Sequence, residues 1–202
     1  MRTALGSACV LLLLATAACG DAASGLQQME AQAPPGLQPI SGSSSSAAPM
    51  PPTSPVADPN APSLELLTTK SMLYAAGVKH GVNPYLVMGL AWWESGWNEA
   101  AVSSAGAIGI MQVMPAAAES DGPVLLHRQV NLTDPQDNID MGTAILAANL
   151  DRYHNDLAKA LVAYYAGGAA VTDWADLRPD ERHYAWGVYL LAVAFRDGKG
   201  PV

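Results

Sequence analysis

The chain has 202 residues, of which 10 are Lys or Arg and 18 are Asp or Glu, so its formal net charge at pH 7 is −8. This length is enough for one domain with additional segments. The sequence offers no basic cluster that would neutralise phosphates, so a nucleic-acid partner is not expected. The charge fits a neutral or weakly charged polymer better than a polyanion.

Residues 1–18 have the pattern of an export signal. Arg2 precedes a short apolar stretch over residues 9–14, and small residues then lead to Cys19. The stretch is too short to span a bilayer comfortably as a mature helix. One interpretation is an ordinary secretory signal that is cleaved near Ala18.

The more specific interpretation of residues 1–18 is a lipoprotein signal. Residues 16–20 (TAACG) resemble the bacterial lipobox, although Thr16 stands where leucine is usual. The resemblance implies that Cys19 is lipidated and anchors an exported chain to the outer face of the cell membrane, facing the cell wall. Cys9 would leave with the signal, so the mature chain would have no cysteine for a disulfide, a zinc site or a nucleophilic thiol.

Residues 19–62 are predicted to be a lipidated N-terminus followed by a disordered linker. Residues 21–62 contain nine of the 15 prolines and the run SSSS. Such a composition cannot form a core, and it favours extended, solvated backbone. As a random coil the linker would reach on the order of 35 Å, and fully stretched up to roughly 140 Å.

Residues 63–202 are predicted to form a single, mainly helical domain. Asn83 and Pro84 have the pattern of a helix cap and first turn, and Gly96 is placed to end that helix. We see neither a long alternating pattern typical of a sheet nor an internal repeat. The predicted helices cover residues 63–79, 84–95, 112–119, 136–153, 155–166 and 180–196.

Glu94 lies among three tryptophans in the segment LAWWESGWN. Helical periodicity places Val87, Leu90 and Ala91 on the same side, so the carboxyl points from an apolar arc. Burial and the negative end of the helix dipole both act to raise its pKa above about 4.3. A carboxylic acid that keeps its proton near neutral pH is suited to general acid catalysis. The alternative is a structural glutamate that pairs with a hidden Lys or Arg or swings out at the helix end.

The loop that follows has features of a ligand groove. Gly106 and Gly109 would let the backbone approach a flat ligand closely, and Ser103 and Gln112 supply polar groups. The glycines are also compatible with a simple tight turn.

The same residues resemble the soluble lytic transglycosylase family of the lysozyme superfamily. The resemblance rests on four segments in the expected order: GVNPYLVMGLAWWESGWN, VSSAGAIGIMQVMP, DNIDMGTAIL and ALVAYYAGG. It covers most of residues 70–170 and implies a lysozyme-like, all-α fold.

The resemblance implies an enzyme that cleaves the β-1,4 bond between N-acetylmuramic acid and N-acetylglucosamine in peptidoglycan. Glu94 matches the single catalytic acid/base. Ser103, Gly109, Gln112 and Met114 lie in the motif that lines the sugar groove, and Tyr164 matches a tyrosine that contacts the catalytic carboxylate. Tyr165 replaces the asparagine of the usual Ala-Tyr-Asn pattern, which puts any contact of that asparagine in doubt.

The implied product has a 1,6-anhydro end, because the sugar's own C6 hydroxyl replaces water as the nucleophile. Two other functions stay open: a lysozyme-like hydrolase on the same fold, and a catalytically silent lipoprotein that binds glycan and recruits partners. The histidines at 80, 127, 154 and 183 have no metal-ligand spacing, so neither a metal nor a cofactor is expected. A monomer that binds peptidoglycan strands, tethered to the membrane by its lipid, is the predicted state.

Overall fold

A computed structural model describes residues 64–201, and within that range the fold is all-α, as predicted. The predicted signal peptide and linker lie outside the described residues, so the proposed domain boundaries stay predictions. The six α-helices, numbered in chain order, are α1 (Leu64–His80), α2 (Pro84–Ser95), α3 (Pro115–Leu125), α4 (Pro135–Arg152), α5 (Leu157–Ala166) and α6 (Pro179–Arg196). Two single turns of 3₁₀-helix, Gly168–Ala170 and Trp174–Asp176, join α5 to α6.

Local caps explain where the helices that frame the site begin. Asn83 accepts a hydrogen bond from the backbone N–H of Tyr85 (2.9 Å), and Pro84 occupies the first turn of α2. Asp134 caps α4 in the same way, accepting from the N–H groups of Gln136 (2.9 Å) and Asp137 (3.0 Å). These caps satisfy N–H groups that have no partner within the helix.

The prediction of a helix over residues 112–119 was wrong at both ends, because α3 runs from Pro115 to Leu125. Residues 112 and 113 instead belong to the preceding loop, where Val113 forms an isolated antiparallel bridge with Ile108. Met114 is extended (φ −71°, ψ 134°), as expected for a residue that precedes proline. The helix also continues through Gly122 and Pro123 instead of ending before them.

Helix α2 runs through the core and packs mainly against α6. All residues from Leu86 to Ala91 are buried. The two helices touch at Gly89, where a Cβ atom would lie 2.7 Å from the backbone nitrogen of Ala192, so only glycine permits this approach. At the end of α2 the ring of Trp97 is 5% exposed and stacks on Phe195 with ring centroids 5.2 Å apart. The tight α2–α6 packing therefore fixes the last turn of α2.

Asp140 ties α4 to α1 and to the loop after α3. Its carboxylate accepts hydrogen bonds from Lys79 Nζ (2.7 Å) and Arg128 Nη2 (3.0 Å), and Nε2 of His80 lies 2.7 Å away. Burial acts to raise the pKa of Asp140, but these hydrogen bonds outweigh it and the pKa is lowered. The ionised carboxylate therefore stabilises the fold.

We predict that Asp140→Asn lowers the free energy of unfolding by about 2 kcal/mol at pH 7. This is less than the ~3–5 kcal/mol for a fully buried pair, because the side chains of Lys79 and Arg128 are 60% and 41% exposed. The contribution is complete above the unfolded pKa of about 3.9 and is lost as pH falls through the lower folded pKa. Urea unfolding at a series of pH values should therefore show the two proteins converging in acid.

The matched control is Asp173→Asn, which removes a 3.0 Å ion pair with Lys159 whose acidic side chain is 82% exposed. Its unfolding midpoint should not move, because exposed pairs contribute little. Equal effects of the two substitutions would contradict the role assigned to Asp140.

Candidate active site

Glu94 occupies the last turn of α2, which ends at Gly96 in the left-handed conformation (φ 64°). The N–H of Gly96 donates to the carbonyl of Trp92 at 2.8 Å, closing the helix. Val87, Leu90 and Ala91, which precede Glu94 on the same side, are fully buried. The Glu94 carboxyl therefore extends from an apolar face of α2, as the helical periodicity of the sequence predicted.

The Glu94 carboxyl is bound by a hydroxyl. Tyr184, on α6, donates a hydrogen bond to Glu94 Oε1. Burial raises the pKa of Glu94 to about 7, and the hydrogen bond from Tyr184 acts in the opposite direction without cancelling it. The pKa increase predicted from the sequence is confirmed, whereas the alternative of a buried Lys or Arg partner does not match the observed contact. With a pKa of about 7, a substantial fraction of the sites hold a carboxylic acid at neutral pH, and this acid can donate its proton.

Aromatic rings fix Tyr184. The residue is 3% exposed. Tyr165 stacks on its ring with centroids 4.5 Å apart and planes at 23°, and Trp93 makes a T-shaped contact with it, with centroids 6.2 Å apart and planes at 85°. Gly187 leaves room for Trp93, since a Cβ atom there would lie 2.1 Å from that ring.

The loop between α2 and α3 is fastened to the end of α2. The hydroxyl of Ser95 donates to the carbonyl of Ile110 (2.8 Å), and the N–H of Gly109 donates to the carbonyl of Ala101 (2.8 Å). Single antiparallel bridges pair Ile108 with Val102 and with Val113. Glu94 and this loop therefore form one connected unit.

Asn138, on α4, binds the backbone of the loop between α2 and α3. It is 1% exposed, and its amide donates to the carbonyls of Ile108 (2.8 Å) and Leu132 (3.2 Å) while accepting from the N–H of Met111 (2.8 Å). Gly109 lies against it at a φ of 76°, and a Cβ atom at Gly109 would be 2.4 Å from Asn138 Nδ2. Gly109 thus serves close backbone packing. Its proximity to a ligand stays a prediction.

The other predicted groove residues lie on this loop or on α5. Ser103 accepts a hydrogen bond from the N–H of Ala107 (3.0 Å), and the amide of Gln112 donates to the carbonyl of Gly109 (2.9 Å). Met114 is 41% exposed, immediately before α3. Tyr164 was predicted to contact the catalytic carboxylate, but its hydroxyl donates to the carbonyl of Met111 (2.8 Å), and the hydrogen bond to Glu94 comes from Tyr184. The charge of Glu94 still contributes, after burial, to raising the pKa of Tyr164.

Sequence reasoning missed Tyr184 and gave no role to Asn138. Tyr184 is 90 positions from Glu94, and no local pattern marks a contact at that distance. Asn138 had no local signal either, because it lies near the start of α4, where short polar side chains are common. The partners themselves lie 27 and 30 positions away in Met111 and Ile108.

Three acidic residues beyond the loop, Asp121, Asp134 and Asp137, have structural partners. Asp134 caps α4, and Asp137 pairs with Arg128 at 2.8 Å. Glu99 is exposed, and Asp121 accepts a hydrogen bond from Ser120. Among residues 64–201 no group of three His, Cys, Asp or Glu side chains could hold a metal ion. Glu94 is therefore the carboxyl on which acid–base chemistry at this site would rest.

A concavity lies between α1 and α4, with a volume of about 840 Å³. Lys79, Arg128 and Asp140 line it, and the ion pairs among them cross it. It is not the site of Glu94.

None of the helices that the structure describes is both long enough and apolar enough to cross a membrane.

Known proteins resemble part of this sequence. Residues 71–186 match the family described as "Transglycosylase SLT domain". The chain is 42% identical over 100 residues to a transglycosylase of Enterobacteria phage PRD1, covering 50% of this chain and 35% of that protein. It is 36% identical over 104 residues to membrane-bound lytic murein transglycosylase C of Actinobacillus pleuropneumoniae serotype 5b (strain L20), covering 45% and 28%. The chain thus spans about a third of the length of these relatives.

Solved structures share the fold. An inactive Glu-to-Gln mutant of the lytic transglycosylase Slt from Pseudomonas aeruginosa superimposes with a TM-score of 0.58 at 23% identity, covering 65% of this chain and 24% of that one. The 70 kDa soluble lytic transglycosylase from Escherichia coli gives a TM-score of 0.56 at 24% identity, covering 65% and 25%.

Proposed function

The chain belongs to the transglycosylase SLT domain family, which its residues 71–186 match, and we propose that it is a peptidoglycan lytic transglycosylase. Its substrate is the β-1,4 bond between N-acetylmuramic acid and N-acetylglucosamine, and Glu94 is its single general acid/base. The observation that carries the proposal is a partly buried carboxyl with a pKa of about 7, hydrogen-bonded to Tyr184 beside a loop that hydrogen bonds hold in place.

In the first step Glu94 donates its proton to the glycosidic oxygen as the bond from that oxygen to the anomeric carbon breaks. N-acetylglucosamine leaves with a hydroxyl, and positive charge develops on the muramic acid ring. The substrate's acetamido group stabilises this charge, so no second carboxylate is required. The structural partners of Asp134 and Asp137 support this assignment.

In the second step the ionised Glu94 takes the proton from the C6 hydroxyl of the same sugar. The C6 oxygen closes on the anomeric carbon, which gives the 1,6-anhydro end and restores the acid without consuming water. Tyr184 donates to the carboxylate between the two steps and thereby stabilises its charged form. The same group therefore acts first as acid and then as base.

Glu94→Gln is expected to retain the fold and lose at least ~10²-fold in activity, the low end for a positioned acid–base group. The purified chain is incubated with peptidoglycan, and the released muropeptides are analysed by mass spectrometry. Wild-type products should be lighter by one water than the hydrolysed muropeptides. Glu99→Gln is the control, because Glu99 is an exposed carboxyl five positions away.

The other outcomes of this experiment identify the alternatives. Products that carry the full water would indicate a lysozyme-like hydrolase. No release by a folded wild-type chain would favour a glycan-binding scaffold. Turnover by Glu94→Gln close to wild type would remove Glu94 from the mechanism.

The pKa of Glu94 predicts the pH dependence of the reaction. The proton donor is the acid form, which predominates below pH 7 and decreases tenfold per pH unit well above it. We expect kcat/KM to fall with rising pH along a limb centred near pH 7, measured as initial rates of anhydro-muropeptide release. A limb near pH 4 to 5 would mean that burial does not perturb this acid.

Lipid anchoring through Cys19 is also part of the proposal, with glycan strands as the partner and the chain held at the outer face of the cell membrane. The matched relative from A. pleuropneumoniae is named membrane-bound, which supports this location. The linker of residues 19–62 would let the domain search the adjacent wall.

Cys19→Ala should prevent incorporation of labelled palmitate and move the chain from the membrane fraction to the soluble fraction of bacteria that express it. Cys9→Ala, within the predicted signal, is the matched control and should remain labelled. Palmitate on the Cys19→Ala chain would contradict the anchor, as would an unlabelled wild-type chain.

A further inference from the structure

Tyr165 contacts the candidate acid through one intervening ring. Its side chain is 46% exposed, and its ring stacks on that of Tyr184, whose hydroxyl donates to Glu94. At this position the family pattern has asparagine, which has no ring to stack. The stack is thus a feature of this chain that the proposed mechanism leaves unused.

The contacts of Tyr165 point to packing as its role. Its hydroxyl lies 3.5 Å from Asp180 Oδ2, at the outer limit of a hydrogen bond, whereas its ring lies at an ideal stacking distance from Tyr184. The other ring contact of Tyr184 is a T-shaped one with Trp93. Without Tyr165, one face of the Tyr184 ring would lose its support.

We propose that Tyr165 is a positioning residue that holds Tyr184 in the orientation needed for its hydrogen bond to Glu94. It acts through Tyr184 and does not itself exchange a proton. Loss of the ring at position 165 gives Tyr184 freedom to turn, so the Glu94 carboxylate is hydrogen-bonded for a smaller fraction of the time.

The direct test is an NMR titration of the Glu94 carboxyl carbon in the full ¹³C-labelled chain, assigned with Glu94→Gln. The hydrogen bond from Tyr184 lowers the pKa of Glu94, so Tyr184→Phe should raise it. Tyr165→Asn should shift it in the same direction by a smaller amount. Tyr165→Phe, which keeps the ring, should retain the wild-type titration.

A double-mutant cycle separates positioning from an independent effect. In the Tyr184→Phe background there is no hydroxyl to position, so adding Tyr165→Asn should cause no further shift. An equal shift in both backgrounds would overturn the proposal, as would a downward shift or no shift with Tyr165→Asn in the otherwise wild-type chain.

Tyr74→Asn is the matched control, since Tyr74 is 47% exposed and contacts Tyr85 edge-on, with ring centroids 6.4 Å apart. It should leave the Glu94 titration unchanged. Tyr165→Leu, which keeps an apolar side chain without a ring, replaces Tyr165→Asn in the cycle if the asparagine variant does not fold.

The kinetic consequence rests on the proposed glycan cleavage. Tyr165→Asn should lower kcat by about 2- to 10-fold, the rate equivalent of one aromatic stack, with KM unchanged. A rise in KM alone would instead indicate a direct contact with the glycan and overturn the positioning role. The titration needs no turnover, so an inactive wild-type chain would refute the proposed function while the NMR result still decides the role of Tyr165.

Discussion

The backbone of Met111 is hydrogen-bonded from two helices at once. Its N–H donates to the amide oxygen of Asn138 on α4, and its carbonyl accepts from the hydroxyl of Tyr164 on α5, both at 2.8 Å. Gly142 brings α4 close enough that a Cβ atom there would lie 2.5 Å from Met111 Cβ. Because Ser95, next to Glu94, is bonded to the adjacent Ile110, the position of Met111 also fixes the distance between the acid and the loop.

The choice of a hydroxyl as the partner of Glu94 has a chemical consequence. A Lys or Arg in the same place would favour the carboxylate and lower its pKa, giving an ion pair in place of an acid. The Tyr184 hydroxyl carries no charge, and its own pKa is raised by burial and then by the charge of Glu94, so it remains a donor. It can therefore support the carboxylate after proton transfer without abolishing the acid form beforehand.

The sequence predicts the parts of this arrangement that depend on neighbouring residues. The cap at Asn83 and the apolar arc before Glu94 follow from spacings within one or two turns, and both are confirmed. The start of α3 was misplaced because the bridge of Val113 to Ile108 competes with helix formation, and a periodicity argument does not detect a single bridge. Tyr184 could not be found at all, since its contact joins residues 90 positions apart and depends on how α6 crosses α2.

The partly buried acid Glu94 also reduces the stability of the fold. The unfolded chain ionises Glu94 near its ordinary pKa of about 4.3, whereas the folded chain keeps the proton until about pH 7. Between these values the folded state binds more protons, so the free energy of unfolding falls by about 1.4 kcal/mol per pH unit and by roughly 4 kcal/mol in total. Tyr184 limits this loss by donating to the charged form. The packing of α2 against α6 offsets the remainder of this loss. Helix α6 also carries Tyr184, whose hydroxyl donates to Glu94.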